Sequence, residues 1–419
     1  LKSSNFEVAV LLVSWNGKKH LESCLAHLRQ QTDPGCPWQI CIFDNGSRDG
    51  TQEWLHANYP EVTLICSDRN LGFAEGVNRL VQAVKSSAIV LLNNDTAPRP
   101  DWLAQLVAAL RQAPEDVAGI GGMALDWEGE HLDFAGGAMT FDGHAFQLGT
   151  GKPINQAKIP KSGSPLLFAN GANVIFRREA FLRAGAFDRE FFAYYEDVDL
   201  GWRLWAQGKR ILFEPGAVIH HRSQATSHRL GMFNRGLLYE RNAFLNAYKN
   251  FDEEHWRALM PAILMTLMHR TQSLLESRNP GGKTLSEIPF LPDADPPKGW
   301  RKRQRQIAAF LGDSQWPGAG TLRKLAASIR SRLPFFMAET HLNDPWTVSQ
   351  LRAVHSVFEL LTLYSERRES VQTKRIRSDR AIFEQFPLHI VPTYPGDESF
   401  FNSPGFQMSL PDNLSLAFD

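Results

Sequence analysis

Three stretches carry residues whose types and spacing could do chemistry. The first is LLNNDT, Leu91 to Thr96, where an apolar run (AIVLL) stops in two amides and a carboxylate. A buried strand gains nothing from ending in three oxygen-bearing side chains, whereas a hard divalent cation takes oxygen ligands and leaves room for phosphate. Asp95 is the ligand this selects, with the Asn93 amide oxygen in support. An N-cap cluster for the next helix, 101–112, is the plainer reading, but Pro98 and Pro100 intervene. The second stretch, GAFDREFFAYYEDVDLGWRLWAQG, crowds Glu196, Asp197 and Asp199 at a helix start. The helix dipole accounts for one or two of them. It does not account for the Phe and Tyr residues just upstream, surroundings that suit a general base for a hydroxyl. Trp202 and Trp205 share that helix and read as core, although a Trp face could also stack on a ring. The third stretch is VIHHRSQATSH, with a histidine pair at a strand end. His220 falls on the ligand side as a further metal ligand, and His221, on the alternate face, is the lesser candidate.

Two polar connections complete the set. In DNGSRDGT, Asp44 ends a strand and could accept from the N–H of a pyrimidine ring, while Asp49 serves the next helix. In DRNLGFAEGVN, Gly72 permits close backbone approach, the helix start offers free N–H groups, and Arg69 could neutralise phosphate. Asn78 lies in the first helical turns. Each alone is equally an ordinary turn.

The elements that must position these residues alternate. Strands are read at 8–14, 39–43, 62–66 and 88–92, and helices at 18–31, 48–58 and 74–85. Such βα units build a mostly parallel sheet with helices on both faces, and ligands bind beyond the carboxyl ends of its strands. Ser14, Trp15, Asn16 and Gly17, then 44–47, 69–72 and 93–95, therefore converge on one crevice. Residues 114–167 are glycine-rich and read as irregular, part of them a mobile loop. Short strands at 211–213 and 218–220 follow. After about residue 250 the pattern becomes helical and amphipathic, broken by NPGGK, LPDADPPKG and WPGAG. The expected division is 1–250 and 251–419.

The 45 basic and 45 acidic residues of this 419-residue chain cancel, which argues against a general nucleic-acid binder. Its four cysteines match no common zinc spacing; Cys41 and Cys66, inside apolar runs, read as buried free thiols, and a reducing, cytoplasmic compartment fits. LKSSNFEV does not read as a signal peptide. The longest apolar run, MPAILMTLM at 260–268, is about half the roughly 20 residues of a spanning helix. Any membrane contact is therefore expected to be peripheral: basic segments at 298–305 and 323–332 could dock on an anionic inner leaflet, although an ordinary solvated helix face is the preferred reading.

Taken in order, VSWNG, DNGSRDGT, NLGFAEGVN, LLNNDT, FDREFFAYYEDVDLGWR, VIHH and YERN (Tyr239 to Asn242) resemble inverting family-two glycosyltransferases of the GT-A fold, closest to bacterial rhamnosyltransferase-like members. The match covers about residues 7–250. It implies an α/β GT-A domain with a mainly helical C-terminal region, a nucleotide-diphosphate sugar donor (dTDP-rhamnose first, UDP-hexoses next), a Mg2+ or Mn2+ ion, and a glycan or lipid-linked acceptor. It assigns Asp197 as catalytic base and Asp95 with His220 to the metal. Ser14, Trp15, Asn16, Asp44, Arg69, Gly72, Asn78, Asn94 and Asp95 fall to the donor, and Tyr195, Glu196 and Trp202 to the acceptor. Two departures stand out: the Asp-X-Asp position reads Asn93-Asn94-Asp95, and HRSQAT is one residue longer than the family pattern, which keeps His221 open as the ligand. A non-catalytic nucleotide-sugar-binding scaffold and a sugar nucleotidyltransferase are the competing readings. The second would want a better glycine-rich loop than VSWNGKKH.

Overall fold

Strands that bury side chains on both faces need helices on both sides, and the apolar runs of the first hundred residues obtain them. In the computed structural model, which describes residues 6–222, 230–278, 345–394, 396–411 and 416–418, the chain opens with β1 (Val8–Ser14), α1 (Lys18–Leu28), β2 (Trp38–Asn45), α2 (Thr51–Asn58), β3 (Thr63–Ser67), α3 (Phe73–Ala83) and β4 (Ala88–Leu92). These strands pair in parallel in the order β4-β1-β2-β3. Helix α1 is held by Leu21, Cys24, Leu25 and Leu28, all fully buried. Each such leucine contributes about 1.5–3 kcal/mol by leaving water.

The next segment departs from the sequence expectation. Short β5 (Thr96–Pro98) and α4 (Trp102–Gln112) lead into β6 (Val117–Leu125), followed by β7 (Leu132–Phe134), β8 (Gly137–Thr140), β9 (Ala145–Gln147), β10 (Pro165–Leu166) and β11 (Asn173–Arg177). Residues 114–167 thus carry five strands, with irregular chain at 148–164. The glycines of β6 are there for close packing: a Cβ on Gly119 would sit 2.5 Å from the Phe176 ring, and one on Gly122 2.3 Å from the Ala217 carbonyl oxygen. Strand β11 inserts antiparallel between β4 and β6, so the ten-stranded sheet is parallel in its first half and mixed in its second.

Helices α5 (Arg178–Arg183) and α6 (Glu196–Ala206) precede β12 (Arg210–His221). The two short strands expected around 211–220 are this one strand, whose pairing with β6 shifts register between Glu214 and Val218, where Pro215 and Gly216 intervene.

Beyond β12 lie α7 (Gly231–Asn250), α8 (Glu253–Arg278), α9 (Pro345–Thr373), α10 (Asp379–Phe383), β13 (Leu388–Ile390), α11 (Asp397–Phe401), α12 (Pro404–Gln407) and β14 (Leu416–Phe418). This mainly helical region shares structure with the first: β13 pairs in parallel with β8 and with β14, giving a second sheet β14-β13-β8-β9. Arginines after 364 dock on it through carbonyls, Arg368 on Phe251 (2.6 Å) and Arg377 on Trp205 (3.2 Å). The basic segments at 298–305 and 323–332 lie outside the described residues. Among those described, no helix is long and apolar enough to cross a membrane.

Candidate active site

The carboxyl ends of β1, β2 and β4 open on a cleft of about 790 Å³, whose opposite wall comes from β7, β9, the start of α6, α7 and the segment after β13. Of the expected donor residues, Trp15, Gly72, Asn94 and Asp95 line it. Ser14 stands one layer behind, its Oγ accepting from Asn94 Nδ2 at 3.0 Å. Asn16 ties the first strand end to the next turn: its Oδ1 accepts from Arg48 N (2.7 Å) and its N–H donates to Ser47 Oγ (2.8 Å). Asp44 is fully buried. Its Oδ1 accepts from Ser47 N and Gln52 Nε2, while Oδ2 has no hydrogen-bond partner among the described residues. A buried carboxylate oxygen without a donor is unfavourable, and a ring N–H would relieve it.

Two donor expectations are corrected. The Asn78 amide clamps the Phe187 backbone, Nδ2 to O at 2.8 Å and Oδ1 from N at 3.0 Å, so it is a structural tie away from the cleft. The Arg69 side chain is exposed and is not part of the cleft wall. Asn45 and Asn70 take these places on the wall, joined by Asn45 Nδ2 to Asn70 Oδ1 at 2.9 Å.

At the Asp95 end, His221 rather than His220 reaches the cleft. Strand β5 pairs with β12 so that His221 lies opposite Thr96, next to Asp95. His221 Nε2 is 3.3 Å from Asp95 Oδ1, and its Nδ1 is 2.7 Å from Asp133 Oδ2. Strand alternation sends His220 the other way, onto the Trp127 carbonyl at 3.2 Å and outside the cleft. Burial opposes charge on His221, but hydrogen bonds and charges from Asp133 and Asp95 prevail and push it up to about 10. Burial likewise works against the Asp95 carboxylate, and His221 outweighs it, holding Asp95 below its ordinary value. A divalent ion fits this donor set. Adjacent ligands of an octahedral ion stand roughly 3 Å apart, and a carboxylate on the far ring nitrogen is the usual support of a metal-binding histidine. The one other cluster of metal-binding type among the described residues, Asp252, His255 and Asp379, is internally satisfied: Asp252 and Asp379 each accept from the other's backbone N–H (2.9 and 2.6 Å).

The acid end is built on unusual backbone. Phe192, Tyr194 and Tyr195 have φ of 62°, 70° and 70°, each costing on the order of 1–3 kcal/mol for a non-glycine residue. They carry the chain into α6, where Asp197 reaches the cleft. Its Oδ2 accepts from Gly171 N (3.2 Å) and its Oδ1 from Val198 N (2.9 Å). Burial raises its pKa, the backbone donors only partly offsetting this. Beside it, burial and then the charge of Asp197 hold Glu196 well above its ordinary value, and its Oε2 has no hydrogen-bond partner among the described residues. Gly72 closes against this turn, since a Cβ there would meet Phe192 O at 2.6 Å. Tyr195 and Glu196 line the cleft. Trp202 does not. It is fully buried, donates to Asp379 Oδ1 at 2.8 Å and packs edge-on against Phe251, so it belongs to the core. Residues missed in the sequence include Asp133, Phe168, Tyr239 and Thr393. YERN was the one available signal, for Tyr239.

The glycosyl transferase family 2 model matches residues 9–183. The N-acetylglucosaminyl-diphospho-decaprenol L-rhamnosyltransferase of Mycobacterium tuberculosis is 30% identical over 238 residues, which are 52% of this chain and 76% of the relative. The O-antigen biosynthesis protein RfbC of Myxococcus xanthus is 30% identical over 196 residues, 44% of this chain and 15% of that one. Among solved structures, the mannosyltransferase PcManGT of Pyrobaculum calidifontis, in complex with GDP-Man and Mn2+, aligns over 86% of this chain and 88% of its own, with 14% identity and a TM-score of 0.44. With a 30% identical relative matched over three quarters of its length, this chain belongs to glycosyl transferase family 2, is rhamnosyltransferase-like, and is a glycosyltransferase that uses a nucleotide-sugar donor.

Proposed function

We propose that the enzyme transfers rhamnose, with inversion, from dTDP-rhamnose to a hydroxyl of a lipid-linked glycan. The observation that carries this is the presence of Asp197 and of the Asp95–His221 pair on walls of one cleft. Asp44, with its unpartnered oxygen, recognises the base, and Asn45, Asn70 and Asn94 hold the nucleotide portion. Asp95 and His221 hold Mg2+ or Mn2+, and Asp133 orients His221. Such an ion supplies charge neutralisation for a departing diphosphate.

Asp197 takes the proton from the acceptor hydroxyl. The oxygen attacks the anomeric carbon as the bond from that carbon to the diphosphate breaks. One displacement from the opposite face inverts the centre. The raised pKa of Asp197 makes it a stronger base than an exposed aspartate. Tyr194, Tyr195 and Tyr239, whose rings lie 5.2–5.3 Å apart where they meet, offer aromatic faces to the acceptor sugar. The named substrate of the mycobacterial relative supports a lipid-linked acceptor and, with it, work at the cytoplasmic face of a membrane.

The test is transfer from a panel of sugar nucleotides with Mg2+, with Mn2+ and with EDTA, the anomeric configuration of the product read by NMR. dTDP-rhamnose with either ion should give the inverted product, and EDTA should abolish it. A retained configuration, or undiminished transfer in EDTA, would overturn the corresponding part of the proposal.

A further inference from the structure

Asn242, on α7, is fully buried. Its Nδ2 lies 2.9, 3.0 and 2.8 Å from the carbonyl oxygens of Phe191, Ala193 and Tyr194. Its Oδ1 accepts from Arg241 Nε at 3.0 Å, and the same guanidinium donates to the Glu190 carbonyl at 2.6 Å. All four carbonyls belong to the turn that enters α6, the one with left-handed φ at Phe192, Tyr194 and Tyr195.

Carbonyl oxygens that converge repel one another unless a donor sits between them, and buried ones must find a partner. A primary amide has two N–H donors and can be shared among three acceptors in this arrangement. Aspartate offers no donor and adds a negative charge. Leucine fills the space and satisfies nothing.

We propose that Asn242 is a positioning residue for the transfer reaction: it holds the 191–195 turn in its left-handed form and thereby aims the Asp197 carboxylate. This rests on the assignment of Asp197 as base. Asn242 itself is not part of the cleft wall, so its loss should lower kcat and leave donor KM nearly unchanged.

The test uses the full chain as wild type, Asn242→Leu, Asn242→Asp and, separately, Asp197→Asn. Hydrogen–deuterium exchange is followed in peptides covering 190–198, and transfer is measured with dTDP-rhamnose. In both Asn242 variants, exchange in 190–198 should rise at least tenfold while peptides from β1 and β4 keep wild-type protection. kcat should fall about 100-fold, with donor KM within threefold. Unchanged exchange in 190–198, a rise spread over the whole chain, or a loss confined to KM would each overturn the proposal. If dTDP-rhamnose is not turned over by wild type, the exchange pattern decides alone. Retained transfer in Asp197→Asn would sink the base assignment without touching the exchange result.

Discussion

The duties proposed for Asp197 and for the Asp95–His221 pair differ, and single substitutions separate them. Asp197→Asn keeps shape and loses basicity. Transfer should fall by 10²–10⁴-fold, the usual contribution of a positioned base, while calorimetric binding of the nucleotide stays within a few-fold of wild type. His221→Ala should weaken Mn2+ binding, followed by titration with EPR detection, by at least tenfold, and His220→Ala should leave it unchanged. Asp95 and Asp197 were legible because a strand ending in oxygens and an acid among aromatics have no good structural excuse. The histidine was not. Its side depends on pairing with a three-residue strand, which cannot be counted from the sequence. Asp133 gave no signal at all, being one of four acids in DWEGEHLD, and it meets His221 across 88 residues.

At the scale of elements, β6 shows how glycine misleads. GIGGMAL has the composition of a loop, yet it runs between β11 and β12 because only hydrogen atoms fit at its contacts. Gly122→Ala should destabilise the fold by about 1–3 kcal/mol, the cost of overpacking a filled site, visible as a lower urea midpoint with unchanged slope. The parallel βα units were legible because their strands are apolar throughout and their helices periodic. Of the mixed half, β12 was legible as two short strands, while β6 to β10 were not read as strands, because close packing of backbones leaves no hydrophobic pattern behind.

For the molecule as a whole, the decisive feature is a buried ionic group where the two regions meet. Arg270 on α8 contacts Asp142 (3.0 Å) and Asp397 (2.8 Å), and His144 contacts Asp142 (3.1 Å) and Glu240 (2.8 Å). Burial alone would discharge His144, but Asp142 and Glu240 push it up to about 9. A pKa raised in the folded state adds stability below the ordinary value of 6.5 and withdraws it as pH climbs through 9. Unfolding free energy should therefore drop on the order of 3 kcal/mol between pH 6 and pH 9.5, and His144→Gln should flatten that slope in urea melts. Arg270→Met takes the guanidinium away from buried Asp142 and Asp397 and should cost about 3–5 kcal/mol. None of this was foreseeable, since Arg270 lies 128 and 127 residues from Asp142 and Asp397, Glu240 lies 96 from His144, and each looks like a surface charge.

Strand β8 is flanked by its hairpin mate β9 on one side and by β13, from the far end of the chain, on the other. A gene trimmed after residue 250 would leave that second margin bare, with amide and carbonyl groups ready to zip onto any neighbour. Anyone shortening this enzyme to its nucleotide-binding half should thus meet clumping in the test tube before meeting any question of catalysis.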